Sequence, residues 1–270
     1  MRENTIKTKW RAGEPTVGGW LSLDSPLSAE QMAQVGFDWL CLDMQHGVID
    51  FKAVTHLLPA ISTTNTIPIV RVPWNEPYEI MRVLDAGAYG VIVPMVNNKE
   101  EAERAVSACR YPPAGLRSFG PTRAMMYAGR GYVEEANDQL ACIVMIETRK
   151  ALDNLDDILS TPGVDAAYIG PADLAYALGL SPTGDNDHPL HVETVAHILE
   201  RCQHHGIAAG IHTGSLAFTQ RYLAQGFQMV TLGQDTAFMS RLARKELKAA
   251  FDQPNASEKT GDAPTKGGFY

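Results

Sequence analysis

Eight short apolar runs recur along the 270-residue chain, each tipped by Gly, Pro or a charged residue. In order they are TVGGWLSL (16–23), FDWLCLD (37–43), IPIVRV (67–72), GVIVPM (90–95), CIVMIE (142–147), DAAYIG (165–170), AAGIHT (208–213) and MVTLGQ (229–234). None alternates cleanly between apolar and polar positions. That is the pattern of strands covered on both faces, as in a parallel sheet. Amphipathic stretches with helical spacing lie between them. SPLSAEQMAQVG (25–36) offers Ser25 or Ser28 as an N-cap and Gly36 as a stop, and NEPYEIMRVLDAGA (75–88) places Pro77 near a helix start and Gly87 at its end. NNKEEAERAVSACR (97–110) opens on acids and closes on arginine, which suits the helix dipole. SLAFTQRYLAQG (215–226) and TAFMSRLARKELKAAF (236–251) follow the last two runs. Eight strands, each followed by a helix, predict an α/β protein: a single-domain (β/α)8 TIM barrel over residues 1–252, with right-handed crossovers. An open doubly wound sheet is the weaker fit, because no glycine fingerprint follows the first strand.

Two connections exceed barrel norms. Residues 111–140, rich in Gly, Pro, Arg and aromatics, read as a functional loop over the barrel mouth, and residues 176–189 form a second insert. Residues 253–270 are a polar tail, expected to be disordered or loosely docked.

Composition narrows the function. The chain is 45% hydrophobic and 20% charged with a net charge of −8, so it carries no electrostatic footprint for nucleic acid or an anionic membrane. Its N-terminus lacks the apolar core of a signal peptide, and no run approaches the ~20 apolar residues of a membrane span. A cytoplasmic protein acting on a small molecule is expected. Cys41, Cys109, Cys142 and Cys202 lack metal-ligand spacing and read as buried free thiols. The histidines around the sixth helix (188, 191, 197, 204 and 205) lack the second ligand pair that a zinc site wants, and His56 falls inside a helical pattern.

Barrel enzymes build their active sites at the C-terminal ends of strands. There the sequence sets Asp43, Gln45 and His46 after strand 2, Arg71 near the end of strand 3 and Asp85 in the helix that follows. Glu147 ends strand 5, and Gly170, Pro171, Ala172 and Asp173 follow strand 6. Glu147 and Asp173 lie on neighbouring strands, and two close carboxylates repel unless a proton or cation sits between them. A hard divalent cation with oxygen ligands resolves that repulsion. Backbone N–H groups of GPADL, at a helix start, suit a carboxylate, and Arg71 suits the developing charge of an enolate. Trp20, at the end of strand 1, is either a pocket wall or a core residue. Arg117 and Arg123 on the long loop are either solvated or steer an anionic acceptor.

The stretches GFDWLCLDMQHG, IVRVPWNEP, ACRYPPAGLRSFGPTRA, IETRKALDNLDDIL and GVDAAYIGPADLA, in order over roughly residues 5–250, resemble the HpcH/HpaI aldolase family of class II, metal-dependent pyruvate aldolases. The resemblance implies a carbon–carbon lyase that cleaves or forms 4-hydroxy-2-oxo acids through a pyruvate enolate, releasing pyruvate and an aldehyde. It implies Glu147 and Asp173 as ligands of Mg²⁺, Mn²⁺ or Co²⁺. It implies Arg71 on the keto oxygen, His46 in acid–base chemistry, Asp43 and Asp85 as acids orienting His46 or a water, and Gly170, Ala172 and Asp173 around the substrate carboxylate. It further implies a homo-hexamer, a trimer of dimers, with the C-terminal helix exchanged between subunits. Three positions depart from the family pattern: Gln45 where many members have Glu, Met145 where many have Gln, and His212 at a place often apolar, where it is expected to contact the acceptor. Alternatives are enolate chemistry with another electrophile, as in macrophomate synthase, a non-catalytic oxo-acid-binding barrel, and a phosphate-dependent barrel isomerase. The last would need a glycine-rich phosphate cradle that GIHTGS and LGQDTA fit only in part.

Overall fold

The computed structural model describes residues 1–251. In chain order the elements are α1 (Thr5–Arg11), β1 (Thr16–Leu21), α2 (Pro26–Gln34), β2 (Trp39–Asp43), α3 (Phe51–Ile61), β3 (Ile67–Arg71), α4 (Pro77–Asp85), β4 (Gly90–Val93) and α5 (Lys99–Cys109). There follow α6 (Thr122–Ala128), α7 (Tyr132–Gln139), β5 (Ala141–Ile146), α8 (Arg149–Asp153), α9 (Leu155–Leu159), β6 (Ala166–Ile169) and α10 (Pro171–Ala177). The last are α11 (Pro189–His205), β7 (Ala208–Ile211), α12 (Leu216–Gln225), β8 (Met229–Gln234) and α13 (Asp235–Phe251). The eight strands pair in parallel, each with the next, and β1 with β8 closes the barrel. Every apolar run picked out by the sequence becomes a strand. Several strands stop a residue or two early, so Glu147, Gly170 and His212 sit in the loops just beyond β5, β6 and β7.

Local chemistry sets the helix starts. Ser25, Asp50, Asn98, Thr148 and Ser215 each accept a hydrogen bond from a first-turn N–H of the helix they precede. The barrel interior is filled by pairing large residues with glycines. Trp39 lies beside Gly18, and Tyr168 beside Gly210, in adjacent strands. A Cβ on Gly18 would overlap the Trp39 indole, and one on Gly210 would lie 2.6 Å from the Tyr168 ring. The two aromatics meet edge to face with centroids 6.5 Å apart.

The segment 111–140 is not a loop over the mouth. It contains α6 and α7 and joins the C-terminal end of α5 to the first residue of β5, both of which lie at the N-terminal end of the barrel. There it packs against the chain start: Ala128 O accepts from Arg2 N at 2.7 Å, and Gln139 O accepts from Asn4 Nδ2 at 2.6 Å. Helix α1, which the apolar pattern does not announce, also covers this end. Lys7 Nζ donates to Leu140 O at 3.1 Å, and Trp10 Nε1 donates to Gln228 O at 3.1 Å. Insert 176–189, by contrast, follows the C-terminal end of β6 and reaches the mouth, where Asp185 Oδ1 accepts from Gly214 N at 2.9 Å.

The chain divides into two compact units, Met1–Thr236, which is the barrel, and Ala237 onward, which in the described residues is the rest of α13. The polar tail 253–270 lies outside the described residues. All four cysteines are free and buried. Among the described residues no helix is long and apolar enough to cross a membrane.

Candidate active site

A cavity of about 230 Å³ opens at the C-terminal ends of the strands. Its walls come from β1 (Trp20), the end of β2 (Asp43, His46), β3 (Arg71), β5 (Met145), β6 and its exit (Tyr168, Gly170 to Asp173), the residue after β7 (His212) and β8 (Gln234). Gly184 of the second insert completes the rim.

Strand register brings the first pair together. Asp43 and Arg71 are opposite each other at the ends of β2 and β3. Arg71 Nε donates to Asp43 Oδ1 at 2.9 Å and Nη2 to Oδ2 at 2.7 Å, a two-pronged ion pair with fixed geometry. Asp43 Oδ1 also accepts from the backbone N–H groups of Gln45 (3.0 Å) and His46 (3.2 Å), which folds the turn that carries exposed His46 onto the rim. Burial alone would raise the Asp43 carboxyl, but the Arg71 guanidinium outweighs it and holds the group below the ordinary carboxylate range. The same pairing outweighs the burial of Arg71 and raises its already high value. The Arg71 guanidinium lies 4.9 Å from the centroid of the Trp20 ring, so Trp20 is a pocket wall as well as a core residue.

Asp173 stands on the cavity wall after β6, and Glu147, just beyond β5, lies behind it against Gly170. Glu147 is 3% exposed, and its Oε1 accepts from Met95 N at 2.8 Å. Met95 has φ 58°, a left-handed backbone that aims this N–H at the carboxylate. Glu147 Oε2 lies against Gly170, where a Cβ would overlap it. Burial first, and then the charge of Asp173, pushes the Glu147 carboxyl up to about 7. A buried carboxylate strained in this way beside a second one is the donor set of a hard cation. Among the described residues no group of three or more His, Cys, Asp or Glu is arranged to hold a metal. Two carboxylates would leave the remaining coordination positions to water or substrate. The residues present therefore fit a divalent cation.

The third wall is aromatic. The His212 ring meets the Trp20 ring edge to face at 4.9 Å, and its Nδ1 is 3.3 Å from Tyr168 Oη. Tyr168 Oη is also hydrogen-bonded to Thr231 Oγ1. Burial, and then the charge of Arg71, lowers His212 to about 4, so it is neutral near pH 7. Gln234 Nε2 donates to Ser22 Oγ, while Asp235 accepts from Ser22 N and Leu23 N, tying the end of β8 to the end of β1.

The structure thus brings Trp20, Asp43, His46, Arg71, Gly170, Ala172, Asp173 and His212 around one cavity, with Glu147 in contact with Gly170 behind it. Asp85 is not among them. It is the last residue of α4, and a helix that returns from the mouth ends at the far side of the barrel. There Asp85 Oδ1 accepts from Arg117 Nη2 at 2.6 Å. Arg117 is buried, with Tyr132 Oη accepting from the same nitrogen at 2.9 Å. Arg123 donates to Ala86 O and Ser62 Oγ at that same end. Neither arginine is a solvated steering group in the mouth. Of the histidines near the sixth helix, His191 is buried and bonded to Pro171 O at 3.1 Å, and His205 faces Asp156 at 3.0 Å. Tyr168, Gln234 and Gly184 were not singled out by the sequence. Tyr168 has a legible signal, because it sits two residues before Gly170 on the inward face of β6.

A closed (β/α)8 barrel whose mouth gathers a guanidinium, an imidazole and acidic groups at the C-terminal strand ends has the architecture of a barrel enzyme. The family model of HpcH/HpaI aldolase/citrate lyase matches residues 16–241, and the chain belongs to that family. It is 44% identical over 247 residues to a hydroxypyruvate/pyruvate aldolase of Rhizorhabdus wittichii, covering 92% of this chain and 98% of that protein. It is 39% identical over 264 residues to a 4-hydroxy-2-oxo-heptane-1,7-dioate aldolase of Escherichia coli, covering 96% and 99%. A solved HpcH/HpaI aldolase/citrate lyase family protein from Burkholderia cenocepacia superposes with a TM-score of 0.86 at 37% identity, covering 92% of this chain and 99% of that one.

Proposed function

We propose that this aldolase, a carbon–carbon lyase, cleaves and forms 4-hydroxy-2-oxo acids by way of a pyruvate enolate, with Glu147 and Asp173 holding a divalent cation, Mg²⁺, Mn²⁺ or Co²⁺. The observation that carries this reading is the buried Glu147 carboxylate, pushed up to about 7 beside Asp173 and 2.8 Å from a backbone donor. Such a group is costly without a cation and useful with one. When bound, the cation supplies Lewis acidity towards the carboxylate and keto oxygens of the substrate.

The rest is done by the chain. Gly170, Ala172 and Asp173 line the cavity, their backbone N–H groups take the substrate carboxylate in this reading, and Gly170 leaves room for Glu147. Arg71, locked by Asp43, presents its remaining N–H to the keto oxygen, where negative charge grows as the enolate forms. His46, on its exposed turn, reaches the C4 hydroxyl. It removes that proton in cleavage, the C3–C4 bond breaks, the aldehyde leaves, and the proton returns to C3 of the enolate from His46 and a water. The roles of Asp43 here are to fix Arg71 and to shape the turn beneath His46. Asp85 has no part in this within one chain. No lysine stands at these strand ends, so no Schiff base is invoked: Lys150 lies in α8, beyond Glu147. The reading includes self-association through α13, whose Met239, Leu242, Leu247 and Phe251 are exposed.

Short 4-hydroxy-2-oxo acids, assayed for pyruvate release, test the reading. Release that stops on chelation and returns with Mg²⁺, Mn²⁺ or Co²⁺ is expected. Absence of pyruvate from every such acid with every metal contradicts it.

A further inference from the structure

The aldolase reading leaves one side of the cavity unassigned. Pyruvate occupies the walls from β2, β3, β5 and β6. The aldehyde half therefore faces β7, β8 and β1, and the residue after β7 is His212. Beside it stand the Trp20 ring of β1, edge to face at 4.9 Å, and Gln234 of β8. His212 is the imidazole in this wall, and its protonation pattern follows from accounting for hydroxyl hydrogens.

Thr231 and Tyr168 are both fully buried. Among the described residues, the Thr231 hydroxyl has one hydrogen-bonding neighbour, Tyr168 Oη. A buried hydroxyl hydrogen without an acceptor is costly, so Thr231 donates to Tyr168. The Tyr168 hydroxyl hydrogen is then free to be donated to its other neighbour, His212 Nδ1, at 3.3 Å. Nδ1 is thus an acceptor, and the neutral ring carries its proton on Nε2. The opposite ordering would have His212 Nδ1–H donate to Tyr168 and Tyr168 donate to Thr231. It would strand the Thr231 hydrogen inside the barrel. Nε2 makes no hydrogen bond within the described residues, so its N–H is available to the cavity that His212 lines.

We propose that His212, held as its Nε2–H tautomer by the Thr231–Tyr168 hydroxyl relay, recognises an oxygen substituent on the aldehyde half, so that short 2-hydroxyaldehydes are preferred over apolar aldehydes of equal size. Tyr168 and Thr231 are positioning residues in this scheme, since neither needs to touch substrate. The inference rests on the aldolase reading. An N–H that lines a pocket discriminates by being left unpaired when the substrate filling that pocket lacks the matching oxygen. The cavity of about 230 Å³ suits a short aldehyde beside pyruvate.

The test uses glycolaldehyde and propionaldehyde, which differ by a hydroxyl in place of a methyl, as acceptors for pyruvate with the metal-loaded, full-length enzyme. The readout is the ratio of their kcat/KM values. The wild type is expected to favour glycolaldehyde, and His212→Leu to lower the ratio by about tenfold, the discrimination that one neutral hydrogen bond gives. His212→Gln, which keeps a donor near Nε2, should retain part of the preference, and Tyr168→Phe should lower it. In ¹⁵N-histidine NMR the wild-type ring should report Nε2–H, with mixed tautomers in Tyr168→Phe. A ratio unchanged in His212→Leu, or an Nδ1–H tautomer in the wild type, overturns the proposal. Exchange of pyruvate methyl protons by the wild type, measured without aldehyde, separates the two levels. Exchange with an unchanged ratio sinks His212 alone, while no exchange sinks the aldolase reading and the inference with it.

Discussion

At the scale of single residues, Glu147 shows most directly how the fold sets up chemistry at a cost to itself. Its carboxyl titrates at an ordinary 4.5 in the unfolded chain and at about 7 in the folded one. Between those values the unfolded chain has released the proton and the folded chain keeps it, so stability falls as pH rises through that window. The penalty above pH 7 is on the order of 3 kcal/mol. In metal-free protein the melting temperature should therefore drop between pH 5 and pH 8. Glu147→Gln should flatten that drop and raise the metal-free melting temperature at pH 8. Added Mn²⁺ should stabilise the wild type by mass action and leave Glu147→Gln nearly unmoved. Thermal scans of both proteins with and without the cation check this. A wild type whose melting point ignores both pH and cation would contradict it.

Secondary-structure elements decide whether such residues meet. The parallel register sets Asp43 opposite Arg71, and the closing of β6 into α10 sets Gly170 against Glu147. That second contact tolerates no side chain: a Cβ at position 170 would overlap Glu147 Oε2 and lie 3.0 Å from the Met145 terminal carbon. Gly170→Ala should fold, because the carboxylate can swing aside, yet lose about 10²-fold in kcat/KM through the displaced Glu147 carboxylate. Circular dichroism and steady-state kinetics on the same preparation check it. Near-wild-type turnover would mean that Glu147 is not held where the account needs it. The strands themselves were legible, since runs such as CIVMIE and DAAYIG need only a sheet buried on both faces. Helix α1 was not. Its apolar face is short, and it forms to cover strand starts that adjoin it only after folding.

For the barrel as a whole, the question is which end a residue faces, and there sequence reading succeeded and failed for one reason. Residues just after strands, such as His46, Glu147 and Asp173, are carried to the mouth by the direction of the chain. Asp85 and segment 111–140 come after helices, so the same direction carries them to the other end, however functional their composition looks. Gly184 needed more, since nothing in a polar insert marks the one glycine that reaches the cavity. At the far end, Asp85 balances the fully buried guanidinium of Arg117. Asp85→Asn should cost about 3 kcal/mol, as breaking a buried pair does, and denaturant melts measure it. A folded Asp85→Asn protein that nevertheless loses turnover would point to a mouth completed by a second copy of the chain.

The proposed chemistry turns on one event at the barrel mouth, formation of a pyruvate enolate. The most direct measurement is exchange of pyruvate methyl protons into D₂O, followed by NMR without any aldehyde, in metal-free protein and after adding Mg²⁺, Mn²⁺ or Co²⁺, with Glu147→Gln alongside. Exchange that requires the cation and disappears in the variant is the expected result. No exchange with any of the three metals, or exchange undiminished in Glu147→Gln, would contradict the account.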